Sequence, residues 1–569
     1  MAARLSENPA WTVLLLEAGQ LETTLSDVPA FAFNLQQGPL DWEFRAEPQP
    51  GRACLGMVGG RCNYPRGRVL GGTSSLNYMM YTRGNRGDYD GWEGAGNTGW
   101  GYDNVLEYFI KSEDNRNKVL ARDRQYYGTH GYLTVEDPPW RSPISYSFTQ
   151  AGEELGYEHR DCNGARQTGF MFPQATMRDG ARCSTAKAFL QPASQRPNLD
   201  ISLGSHVLKI IIDKYTKTAQ GVKFMKEGKV LKTFSRKEVI LSAGSISSPQ
   251  VLMLSGVGPA HHLTRLGVPV LADLPVGRNL MDHYGSMAMV GTLDKEVAIT
   301  EERIASTLLS SVFDYSVNNR GPLTTLGGVE GVAWVNTKYA NRSEDRPDIE
   351  LVFLASGLAA ETSGTGRRTQ GLKDSLYQTL YSPLEGRDIF TFLVLLTRPR
   401  SRGFIKLRDR NPFTRPVIQP GYFSHPGDME VLVEGMKFTL DLVRTRAFRK
   451  YGGRMWGGRK MPGCEGLKLW SDRYMECIVR EYTISGHHQS GTVKMGPATD
   501  PGAVVGPRLQ VHGVSRLRVV DASVMPSIPS ANINAPTIMV AEKVDEILYC
   551  HNQHNFKLSI ASGSSHFTH

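Results

Sequence analysis

The chain has 569 residues, 40 % of them hydrophobic and 21 % charged, which supplies apolar surface for a large buried core and excludes a disordered polymer. At roughly 150 residues per domain this length predicts at least two lobes, and no apolar run approaches the roughly 18 residues of a membrane span. Sixty-five basic against 56 acidic residues leave a net charge of +9 spread along the chain, too diffuse for nucleic-acid recognition.

In chain order, residues 1–7 hold helix formers, with Met1 and Leu5 one turn apart before Pro9, so the chain is expected to begin within a helix. This N-terminus has no apolar stretch of the signal-peptide kind. Residues 12–16 form a continuous apolar run ending at Glu17-Ala18-Gly19, the pattern of a parallel strand buried on both faces. Residues 51–101 are glycine-rich and too polar for a core strand, which predicts loops lying against a large ligand. Residues 237–241 lead through Ala243-Gly244-Ser245 into a helical pattern ending at Leu254: strand, glycine turn, helix. Residues 290–470 mix strand pieces (392–396, 404–407) with an amphipathic helix (429–443) and are expected to build a second lobe. Residues 517–520 lead to Asp521-Ala522-Ser523, and Pro536 opens a final helix. From His551 the sequence is polar, and a frayed tail is expected over 551–569.

The seven cysteines contain no CxxC pair and no zinc-ligand spacing, so no metal is expected. Cys54 with Cys62, and Cys464 with Cys477, each close a short loop and are open to two readings, disulfides or buried thiols.

A dinucleotide site needs a strand, a GxGxxG turn and a helix whose amides meet the pyrophosphate, then an acidic residue about 20 positions on for the ribose hydroxyls. Only the second half is present. Glu17 stands at the ribose position, and the glycine turn falls ahead of Met1. The literal GxGxxG at Gly94 to Gly99 has no strand before it and reads as a loop. The expectation is an N-terminally incomplete chain whose full form carries a signal peptide, a first strand and the glycine turn.

Residues 67–84 (GRVLGGTSSLNYMMYTRG), 244–258 (GSISSPQVLMLSGVG), 487–497 (HHQSGTVKMGP) and 519–543 together resemble the signatures of the glucose-methanol-choline (GMC) flavin oxidoreductases. Residues 169–190 and 398–413 look like the insect, quinone-linked glucose dehydrogenase branch of that family. The resemblance implies an α/β (α+β) fold: an FAD-binding, doubly wound Rossmann-like domain, here lacking its first strand and GxGxxG turn, and a substrate-binding domain on an antiparallel sheet. It assigns residues 1–290 mainly to the FAD-binding domain, completed by 480–550, residues 291–479 mainly to the substrate domain, and 400–545 to the family's C-terminal region.

For the site, the resemblance implies FAD contacts at Gly71, Gly72, Thr73, Asn77, Tyr78, Met79 and Met80, at Val207 beside the adenine, at Asp521 and Ala522, and at Asn534 and Thr537 on the final helix, besides Glu17. Hydride leaves an alkoxide far more readily than a neutral alcohol, so a base is needed, and histidine suits that role. His488 matches the family base, and Asn532 the second polar partner, an amide that donates to a developing alkoxide without shuttling a proton. Gln489, Ser490 and Val493 depart from the usual family pattern and predict a more polar pocket wall. The implied activity is oxidation of an alcohol or sugar CH–OH with a quinone-type acceptor, in an extracellular location. The alternatives are an oxygen-using alcohol or steroid oxidase of the same fold, or a catalytically silent binding protein.

Overall fold

The computed structural model describes residues 1–361 and 363–562. The first apolar run forms the strand Val13–Leu16, paired in parallel with Leu199–Ser202, and the helix Ala2–Leu5 precedes it. A second parallel pair joins Val239–Leu241 to Leu517–Val519. After Leu241 the chain turns at Gly244 (φ +85°) into the helix Gly244–Leu254, the strand, turn and helix expected from the sequence. An antiparallel meander, His206–Ile212, Ala219–Lys226 and Lys229–Phe234, is attached to this lobe.

The second lobe is a seven-stranded antiparallel sheet. Its order is Arg454–Met455, Tyr284–Thr292, Ile389–Leu396, Ile349–Leu354, Val329–Val335 and Gly169–Met171, with Thr483–Ser485 pairing on to the end of Tyr284–Thr292. The strand Tyr284–Thr292 straddles residue 290, and Gly169–Met171 comes from the first third of the chain, so the two lobes interleave in sequence. One face packs on helices: Phe148 stacks on Phe353 at 5.1 Å, Phe448 lies 5.1 Å from Phe390, and Gly435 of the helix Pro426–Val443 lies against Ile349. Each such buried side chain contributes roughly 1.5–3 kcal/mol. The opposite face, carrying Val352, Leu354, Leu393 and Leu395, looks toward the first lobe and lines the cavity between them.

The last helix, Asn534–Ser562, starts two residues before the predicted Pro536 and continues through His551, where the sequence predicts a frayed end. Its early turns are anchored, with Lys543 Nζ donating to the Asn104 carbonyl and Tyr108 donating to Glu546, and extending a nucleated helix costs little per residue. Residues 563–569 of the expected tail lie outside the described residues. Cys54–Cys62 and Cys464–Cys477 are disulfides, while Cys162 and Cys183 are buried thiols, which decides between the two readings of the cysteine spacing. Among the described residues no helix is long and apolar enough to cross a membrane, and no group of three or more His, Cys, Asp or Glu is placed to hold a metal ion.

Candidate active site

A cavity of about 2210 Å³ runs between the lobes and on between the two parallel strand pairs, touching Val13–Glu17 on one side and Val239–Gly244 on the other. Ordinary small-molecule clefts measure about 300–1,000 Å³, so this one has room for a ligand with two joined parts plus a substrate. Every site residue predicted from the sequence borders it: Glu17, Gly71, Gly72, Thr73, Asn77, Tyr78, Met79, Met80, Val207, His488, Asp521, Ala522, Asn532, Asn534 and Thr537.

The glycine loop is shaped for close approach. Gly71 has φ +94°, and a Cβ there would meet Ser75 Oγ at 2.5 Å; Gly72 has φ +58° with open space where its Cβ would project. Thr73 Oγ1 accepts from the Gly67 N–H at 3.1 Å and so is turned back into the loop. Asn77 Oδ1 accepts from the Met79 N–H at 3.0 Å and from Arg182 at 2.9 Å, so its NH2 is the end left to donate. Tyr78 OH accepts from Gln36 at 2.9 Å, and Met79 is held at φ +59° with its carbonyl accepting from Thr176 N–H at 2.8 Å. At the far end Glu17 accepts from the Gly19 N–H at 2.7 Å, and burial pushes its carboxyl up to about 7. Trp42, His206 and Phe413 cluster beside Val207, with ring centroids 5.5 and 4.9 Å apart.

The Asp521 side chain is engaged within the protein. Its carboxylate accepts from the N–H groups of Ser523 (2.8 Å) and Gly244 (2.9 Å) and from Ser248 Oγ (2.6 Å). It caps a short turn and ties the ends of two neighbouring parallel strands together, which leaves its backbone and Ala522 to face the cavity. Asn534 and Thr537 stand on the first turn of the final helix; the N–H and hydroxyl of Thr537 both donate to the Ile533 carbonyl, and the positive end of the helix favours negative charge. Room for a two-part ligand, a glycine cradle, a free amide donor and an acid at the far end fit a flavin dinucleotide.

His488 lies at the other end, on a turn that is stretched and pinned. His487 adopts φ +62°, a conformation that costs a non-glycine residue about 1–3 kcal/mol, and its N–H donates to Ser485 Oγ at 2.8 Å while its carbonyl accepts from Arg66. Asp282 is the hub beneath. This buried carboxylate accepts from the His488 N–H (2.8 Å), Ser485 Oγ (2.5 Å), Tyr422 OH (2.5 Å) and Gln489 Nε2 (2.9 Å). Because Tyr422 donates to Asp282, the 2.5 Å contact between the Tyr64 and Tyr422 hydroxyls has Tyr64 as donor. Burial raises Asp282 to about 6, opposed by these hydrogen bonds and by Arg66.

The His488 ring meets His283 through Nδ1 at 2.9 Å and Asn532 Nδ2 through Nε2 at 3.4 Å. Burial is the largest cause holding His488 well below the usual histidine range, reinforced by His283, Arg66 and His487. His488 is therefore neutral at pH 7 and has a lone pair to offer. Of the residues expected to make the pocket wall more polar, Gln489 borders the cavity beside His488 and the other two do not. The Gln489 amide is engaged by Asp282, Ser485 and Arg66, and Ser490 and Val493 are buried away from the cavity lining. On the side of the antiparallel sheet the lining is Met287, Val329, Val352, Leu354, Leu393 and Leu395, with Thr369, Gln370 and Thr483 as polar members.

His283, Asp282, Arg66 and Thr82 were not singled out from the sequence. The only local signal was an adjacent Asp-His pair immediately before a nine-residue buried strand, and nothing linear joins it to His488 more than 200 residues later.

Two family models described as GMC oxidoreductase match residues 15–285 and 399–541. The chain is 41 % identical over 545 residues to the glucose dehydrogenase [FAD, quinone] of Drosophila melanogaster, covering 95 % of this chain and 83 % of that protein. It is 36 % identical over 566 residues to the mitochondrial choline dehydrogenase of Homo sapiens, covering 96 % and 87 %. Among solved structures, pyridoxine 4-oxidase from Mesorbium loti superposes with a TM-score of 0.79 at 27 % identity, covering 97 % of this chain and 96 % of that one.

Proposed function

Because the chain belongs to the GMC oxidoreductase family, FAD-dependent enzymes acting on CH–OH donors, we propose that it oxidises an alcohol or sugar with His488 as the base and passes the electrons to a quinone-type acceptor. Bound FAD supplies the hydride acceptor. His488 Nε2 takes the hydroxyl proton, and Asn532 Nδ2, beside it, donates to the oxygen as negative charge develops. Asn77 and the first turn of the final helix supply donors where the cofactor gains charge. The quinone-type acceptor is inferred from the printed name of the Drosophila relative. The two disulfides support an oxidising, extracellular setting.

The observation that carries this reading is a neutral, cavity-facing His488 Nε2 with an amide donor next to it. The walls add a preference. The central strands present Val329, Val352, Leu354, Leu393 and Leu395, which favour a substrate with an apolar face, while Thr369, Gln370 and Gln489 offer polar partners for further hydroxyls. The test is anaerobic flavin reduction by the FAD-loaded protein with a panel of sugars, aliphatic alcohols and steroid alcohols, followed by reoxidation with quinone or with oxygen. His488→Ala is expected to slow reduction by roughly a hundredfold or more. Unaltered reduction in that variant removes His488 from the mechanism, and peroxide production faster than quinone reduction replaces the dehydrogenase reading with an oxidase.

A further inference from the structure

The hydrogen bonds around His488 decide which of its nitrogens carries the proton. His283 and His488 meet Nδ1 to Nδ1 at 2.9 Å with ring planes 89° apart, so one of the two must donate and the other accept. On its far side His283 Nε2 lies 2.9 Å from the carbonyl oxygen of Thr397, which only accepts. His283 Nε2 therefore carries a proton. Burial holds this ring neutral, lowering it to about 4, so its Nδ1 is a bare lone pair. His488 Nδ1 must then be the donor, and a neutral His488 with its proton on Nδ1 has its lone pair on Nε2.

A second constraint reaches the same answer from the other side. Thr82 Oγ1 donates to Asn532 Oδ1 at 3.1 Å and accepts from the Asn532 N–H at 2.7 Å. With its amide oxygen engaged by Thr82, Asn532 turns its NH2 toward His488 Nε2, and an NH2 faces a lone pair rather than another N–H.

We propose that His283, oriented by the Thr397 carbonyl, is a positioning residue that locks His488 in the Nδ1–H tautomer and so aims the Nε2 lone pair at the substrate hydroxyl. The proposal rests on the reading of His488 as the base. In water a histidine side chain favours the opposite tautomer, with the proton on Nε2, which would block the basic nitrogen. The arrangement is a lock and not a wire. The Thr397 carbonyl cannot take a proton onward, so a proton gained at Nε2 leaves by the cavity side. Neither His283 nor Thr397 reaches the substrate; both act through the orientation of His488.

The test is nitrogen NMR of FAD-loaded protein labelled with 15N-histidine, the His488 signals being assigned by their loss in His488→Gln. The expected wild-type spectrum shows an unprotonated Nε2 and a protonated Nδ1 at pH 7. His283→Leu is expected to shift His488 toward the Nε2–H form and to slow flavin reduction by roughly 10- to 100-fold, the range found when the outer partner of a metal-bound imidazole is removed. His283→Asn, whose amide oxygen offers an acceptor in place of Nδ1, is expected to restore both tautomer and rate to a large extent. A protonated Nε2 in the wild type, or an unchanged tautomer in His283→Leu, overturns the proposal. If His283→Leu fails to fold, the wild-type spectrum and His283→Asn still decide. Failure of the underlying base reading shows separately, as unaltered flavin reduction in His488→Ala beside an intact wild-type tautomer spectrum.

Discussion

Glu350 offers a stability test that depends on one carboxyl. It lies on the strand Ile349–Leu354, on the same face as Val352 and Leu354, opposite Trp334 on one neighbouring strand and Leu395 on the other. It has 0 % exposure, and neither of its oxygens has a hydrogen-bond partner. Burial alone pushes its carboxyl from 4.5 up to about 8. In the unfolded chain this group loses its proton above about pH 4.5, while the folded protein keeps it until about pH 8. Between these values the native state binds more protons, so stability falls as pH rises and the loss is complete above pH 8. A difference of about 3.5 units at about 1.36 kcal/mol each amounts to roughly 5 kcal/mol. Glu350→Gln removes the titration. It leaves a buried amide with a cost that does not vary with pH and therefore cancels when two pH values are compared. Thermal melts of the FAD-loaded wild type and variant at pH 5 and pH 8.5 should show the Tm of the variant gaining on the wild type by several degrees at the higher pH. An equal Tm difference at both pH values would refute the reasoning and mean that the carboxyl is ionised and partnered throughout.

Three further outcomes follow from the site. Asp282→Asn replaces a carboxylate that accepts four hydrogen bonds with a group that must present a donor among donors; chemical denaturation should register a loss of roughly 3 kcal/mol or more, with slower flavin reduction as the His488 turn loosens. Because burial holds His488 well below 6.5, the acid limb of kcat/KM for anaerobic reduction should lie below pH 6.5, and a limb at or above that value contradicts a buried neutral base. Glu17→Ala should weaken FAD binding by roughly 10- to 100-fold in a flavin titration while leaving the reduction rate at saturating FAD unchanged, and unaltered FAD affinity removes the ribose role.

What the sequence made legible was local. The strand leading to Asp521, the turn and the final helix were readable because each depends on residues within a few positions of one another, and so was His488, through the motif around it. The partners that hold the His488 ring and its turn were not readable. Asp282 and His283 lie more than 200 residues upstream, and Thr82 meets Asn532 across 450 positions. Hydrophobic patterning says that a strand is buried but not which loop arrives beneath it. The cysteines show the same limit, since their spacing allowed bonds that only the folded distances decide.

The apolar wall of the cavity was hidden for a different reason. A strand buried on one face alternates, and alternation reveals which side chains look inward. The strand Ile389–Leu396 is covered on both faces, by helices on one side and the cavity on the other, so apart from Thr391 its sequence is apolar throughout and Leu393 and Leu395 cannot be told from Phe392 and Val394. The expectation of a polar pocket therefore came from Gln489 and Ser490, the residues that stood out; Gln489 borders the cavity while its amide holds the hub beneath His488, and Ser490 is buried away from the lining. The neighbouring strand did carry a clue. Glu350 is the single charge in Ile349–Leu354, and since alternate residues of a strand share a face, its register with Val352 and Leu354 sets it on the wall toward the first lobe. A carboxyl without a partner on that face is costly, so the face of the sheet that backs the cavity bears on the stability of the protein.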